Sequence, residues 1–102
     1  MSSRFEPIVE RLRHAVLESD GTLDRTVRRA AAGLGDAKLP AALVSLVDTI
    51  RRHAYRVSDA DIVALQDAGY SDDQLYELVT ATALGEGLRR IRLVETLLAT
   101  RD

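Results

Sequence analysis

Apolar residues recur along this chain at three- and four-residue intervals, the spacing of one helix face, and strand-like alternation is absent. Phe5, Val9, Leu12 and Val16 form the first stripe and predict a helix from about Glu6 to Glu18. Pro7 fits its first turn, where the missing N–H has no helical partner anyway. Ser19-Asp20-Gly21 reads as a turn. Thr22 can then cap a second helix with the stripe Leu23, Val27, Ala30, Ala31 and Leu34, ended by Gly33 and Gly35. Leu39-Pro40 opens a third helix with the clearest period of all, Leu43, Leu46, Val47, Ile50 and Ala54, and Tyr55-Arg56-Val57 links it onward.

The next two helices announce themselves by their start signals. Ser58-Asp59-Ala60-Asp61 resembles a capping box with Asp in the third position, opening a short helix that carries Ile62 and Leu65. Gly69 suits the left-handed position beyond its end. Ser71-Asp72-Asp73-Gln74 is an S-x-x-Q capping box, and it predicts a long last helix reaching about Ala99. That helix has two faces. Leu75, Leu78, Val79 and Thr82 lie on one side, whereas Leu84, Leu88, Ile91 and Leu98 lie nearly opposite, and the change falls at Gly85-Glu86-Gly87. Two explanations fit: a bend at the glycines, or two halves that bury against different partners.

Composition narrows the picture. With 102 residues there is room for one domain, spanning 1–102, of an all-α class with five or six helices. A chain that is 46% hydrophobic is too apolar for disorder, but only Phe5, Tyr55, Tyr70 and Tyr76 are aromatic, so the core must be built from Leu, Val, Ile and Ala. A core with so few large anchors makes association between copies an expectation. The net charge of -2 argues against a general nucleic-acid surface. No apolar run approaches the roughly 20 residues of a membrane span, and the opening segment has no signal-peptide core; a cytoplasmic location is expected. Thirteen of the fourteen basic residues are arginine, a usage that fits a GC-rich bacterial genome. The absence of cysteine removes disulfides, zinc–thiolate sites and thiol nucleophiles together.

Few residues are candidates for chemistry. His14 projects away from the first stripe and reads as a surface residue. His53 sits one turn beyond Ile50, at the edge of the best stripe, where it can act as a general acid or base or simply complement a helix C-terminus. Glu77 extends the Leu84/Leu88 face, and Glu86 with Arg89 extends the Leu75/Val79 face at a spacing that allows an ion pair. His53, Glu77 and Glu86 are therefore the catalytic candidates, and Arg89, Arg90 and Tyr76 the candidates for a ligand or an interface. The doublets Arg28-Arg29, Arg51-Arg52 and Arg89-Arg90 cannot each form a two-pronged clamp, because adjacent helical residues diverge by about 100°. Two histidines without matching carboxylates make a metal site unexpected, and phosphate-binding glycine loops and nucleophile elbows are missing.

The stretch from Tyr55 to Glu77, YRVSDADIVALQDAGYSDDQLYE, resembles the segment after the active-site helix in alkylhydroperoxidase D-like and carboxymuconolactone decarboxylase-like proteins, where a V-[ST]-D-x-D-[IV]-x-x-L-x-x-A-G-[YF]-S-[DE] pattern joins two helices. The resemblance runs from about Leu39 to Leu98. It implies an all-α domain with a long C-terminal helix that assembles into trimers or hexamers. Redox members of the family use a C-x-x-C pair with a nearby His and Glu, and this chain has neither cysteine. The decarboxylase branch needs no metal or organic cofactor. Two readings follow: a non-redox, oligomeric accessory or interaction protein, or a cofactor-free acid–base enzyme such as a decarboxylase or lactone-processing enzyme using His53 with Glu77 or Glu86.

Overall fold

The computed structural model describes residues 6–34, 38–53 and 56–100, so Phe5, Gly35, Ala54 and Tyr55 of the stripes and links above lie outside the described residues. Within them are five α-helices and no strand: α1 (Glu6–Arg13), α2 (Arg25–Ala31), α3 (Ala41–His53), α4 (Asp59–Asp67) and α5 (Asp72–Ala99). The last turn of the first helix, His14–Glu18, widens to π geometry, closed by the Ser19 N–H donating to the His14 carbonyl at 3.0 Å.

The start signals of α4 and α5 act as their sequences predict. Ser58 accepts from the Asp61 N–H while Asp61 accepts from the Ser58 N–H, and Ser71 and Gln74 make the same reciprocal pair. Each box satisfies two amide donors that a helix start would otherwise leave unpaired. Gly69 takes φ 104°, a left-handed conformation that a side chain would disfavour, and lets the chain reverse between α4 and α5. The start of α2 differs from the sequence expectation. Asp24, not Thr22, is the cap, its carboxylate accepting from the Thr26 N–H at 2.9 Å. Thr22 is engaged elsewhere, and Leu23 is buried ahead of the helix rather than on it.

The stripes of α2, α3 and the first half of α5 converge on one core, whereas in the first helix Leu17, off the expected stripe, is the buried residue and Leu12 is exposed. Leu17, Leu43, Val47, Leu78 and Ala81 are fully enclosed, with Leu23, Ala31, Leu46, Leu65 and Leu75 around them. Both α2 and α3 pack along the first half of α5, and α4 leans on α3. The whole of α5 is a single uninterrupted helix. Its faces divide the work differently from either half alone: Leu75, Leu78, Ala81, Thr82 and Leu88 are buried, whereas every residue from Arg89 to Thr100 is exposed. The outer turns of α5 therefore extend past the core. No helix of the described residues is long and apolar enough to cross a membrane.

The two glycines at the face change play separate parts. Gly85 lets the end of α2 lie directly on α5: a methyl group built there would come within 2.6 Å of the Ala32 Cα and carbonyl carbon. At Gly87 the same methyl group would meet nothing within 4 Å.

Candidate functional site

Side chains that cross between helices first explain how the sites are held. Arg28 is only 3% exposed, yet every part of its guanidinium is used. Nε donates to the Leu23 carbonyl at 3.0 Å, and the two terminal nitrogens donate to the Val16 and Ser19 carbonyls at 2.9 and 2.6 Å. A cation on α2 thus satisfies carbonyls at the C-terminal end of the preceding helix, where negative partial charge collects. Arg51 repeats the device one helix later, donating from α3 to the Ala30 and Ala31 carbonyls at the end of α2 at 3.0 and 2.9 Å.

Glu77 closes the opposite side of the 19–24 loop. Its carboxylate accepts from the Thr22 and Leu23 N–H groups at 3.0 and 2.8 Å and from the Thr22 hydroxyl. Burial raises its pKa. The Thr22 hydroxyl, the two amides and the positive charge of Arg28 act the other way and win, holding the carboxyl below the usual range. A carboxylate depressed in the folded state stabilises the fold above its unfolded pKa of about 4.3. That contribution is lost as pH falls through the folded value. Glu77→Gln is therefore expected to lower the urea midpoint at pH 7, with the gap to the parent protein narrowing below pH 4. A gap independent of pH would contradict this role.

The remaining candidates fall in different surroundings. Glu86, with a side chain 12% exposed, accepts from Arg89 at 2.6 Å and lies 4.0 Å from Arg90. The pairing expected from their spacing is present. Tyr76 is 74% exposed on α5. His53 is exposed at the last residue of α3, and His14 is exposed as well. Glu86 and Arg89, together with Arg51, Arg92, Leu34 and Leu88, line an open cleft of about 400 Å³ between the end of α2, α3 and the middle of α5. Neither His53 nor Glu77 lines it. Ala32 and Gly85, where α2 closely approaches α5, also line it. Sequence reasoning did not single out Arg92, and it noted Arg51 only as half of a doublet. The doublets drew attention to adjacent arginines, whereas the structure brings together arginines from separate helices.

Among the described residues, no group of three His, Asp or Glu side chains is placed to hold a metal ion. The outer part of α5 is the other conspicuous surface. Ile91, Leu93, Val94, Leu97 and Leu98 are 39–60% exposed on about two turns of helix. No protein-family model matches the chain, and neither does any curated protein or solved structure.

Proposed function

We propose that this chain is a cysteine-free, non-redox member of the alkylhydroperoxidase D-like family that serves as a self-associating accessory protein, its copies joined through the outer half of α5. The observation carrying this reading is the row of exposed Ile91, Val94, Leu97 and Leu98 on a helix that continues beyond the core. A helix apolar over so much of its surface is normally covered by another element.

The spacing supports a second copy as the cover. Leu84, Gly87, Ile91, Val94 and Leu98 follow the alternating three- and four-residue steps of a coiled-coil seam. Arg90 and Glu95 flank it on opposite sides, five residues apart. In a parallel pair of identical helices, that offset sets Arg90 of one copy beside Glu95 of the other, an attraction repeated at every interface of a closed ring. Leu97 widens the seam, and Leu93 falls outside it. Trimers or hexamers, the assemblies that the family resemblance implies, are built from such cyclic contacts.

Sedimentation velocity tests the proposal. The parent protein is expected to sediment as a multiple of 11.2 kDa at micromolar concentration, and the double variant Ile91→Asp/Leu98→Asp as a folded monomer. A monomeric parent would remove the reading. The acid–base enzyme is the second reading, and it has less behind it. Glu77 is bound to the 19–24 loop, Glu86 is paired with Arg89, and neither Glu77 nor His53 lines the cleft where Glu86 stands.

A further inference from the structure

The cleft on the other side of α5 carries a separate assignment: we propose that it binds a small organic carboxylate, with the anionic group against Arg51 and Arg92 and an apolar body over Leu34 and Leu88. Three arginines and a single carboxylate line it, leaving an excess of two positive charges in a chain whose net charge is -2. The three are not equivalent. Arg89 is neutralised by Glu86 at 2.6 Å, and Arg51 spends one terminal nitrogen on the Ala30 and Ala31 carbonyls. That bond fixes the Arg51 guanidinium while leaving its other N–H groups as donors. Arg92 makes no side-chain hydrogen bond or ion pair within the described residues.

A fixed guanidinium from α3 and an uncommitted one from α5 on the rim of the same cleft form a two-sided oxyanion site, since each guanidinium can present paired N–H donors. The other lining is apolar or small: Leu34, Leu88 and the glycines at 33 and 85. A space of about 400 Å³ falls within the range of small-molecule sites. Glu86, standing in the same cleft, disfavours a densely charged ligand such as a phosphate dianion and favours a single carboxylate on an apolar body. On the helical wheel the cleft residues Gly85, Arg89 and Arg92 lie roughly opposite the Ile91/Val94/Leu98 seam. Self-association through that seam therefore leaves the cleft open, and the two proposals stand or fall separately.

The test is an amide chemical-shift titration of the intact protein with benzoate, its neutral isostere benzamide, and inorganic phosphate. Benzoate is expected to give saturable shifts confined to residues 32–34, Arg51 and 85–92, with weaker effects from phosphate and none from benzamide. Arg92→Gln is expected to weaken benzoate binding about tenfold, as loss of a charge-assisted hydrogen bond predicts, with sedimentation unchanged. Absence of saturable shifts, an equal response to benzamide, or unchanged affinity in Arg92→Gln would overturn the assignment. Phosphate binding as tight as benzoate would overturn its apolar half.

Discussion

Gly85→Ala is expected to lower the melting temperature by about 15 °C, whereas Gly87→Ala, two residues away on the same helix, is expected to raise it slightly. The contrast comes from what each new methyl group meets. At position 85 it would be driven into the Ala32 backbone, which cannot rotate aside as a flexible side chain can. The end of α2 would have to lift from α5, opening the packing of Ala31 and Ala32 against the core and loosening the Arg51 bonds to the Ala30 and Ala31 carbonyls. Overpacking of this kind costs about 3 kcal/mol, and each kcal/mol moves the midpoint of a domain this size by roughly 5 °C. At position 87 there is open space within the chain, so within one copy only the helix propensity changes, and replacing glycine with alanine gains up to about 1 kcal/mol. Thermal unfolding followed by circular dichroism checks both. Equal effects at the two positions would mean that the close approach of α2 and α5 does not exist in solution.

Arg28→Met is the second large loss, expected to cost about 3–4 kcal/mol in urea unfolding. Methionine fills much of the same volume but donates nothing, leaving the Val16, Ser19 and Leu23 carbonyls without their shared donor at a buried site. Lysine should restore only part of the loss, because one ammonium cannot span three carbonyls as a planar guanidinium does. The variant carries a second signature. The Arg28 charge helps to depress the Glu77 pKa, so the Glu77 carboxyl should titrate at higher pH in Arg28→Met. Full recovery by lysine would show that charge alone, rather than the fork geometry, holds the loop.

These two residues also mark where sequence reasoning stops. The capping boxes at Ser58 and Ser71, the left-handed Gly69 and the end of α5 at Ala99 were legible because their causes lie within a few residues. The start of α2 was misplaced because Thr22 is claimed by Glu77, 55 residues away. The π-helical turn at His14–Glu18 had no local signal. It sits where Arg28 takes the Val16 and Ser19 carbonyls. Gly85-Glu86-Gly87 was recognisable as a place where α5 changes faces. Only the packing of Ala32 separates the glycine that is needed from the one that is not. For the candidate site, the Glu86–Arg89 pair followed from spacing within one helix. That Arg51 and Arg92 line one cleft depends on how α3 packs on α5 and could not be read along the chain.

Because the chain contains no cysteine, a single introduced thiol reports on the α5 seam without interference. In the proposed parallel assembly, Leu98 of each copy faces its counterpart, within the roughly 4.4–6.8 Å Cα separation that a disulfide spans. Thr96 points away from the seam. Mild oxidation of Leu98→Cys is expected to give a covalent dimer in high yield at micromolar concentration, while Thr96→Cys remains uncrosslinked. Equal yields at the two positions, or no crosslink at 98, would contradict self-association through the outer half of α5.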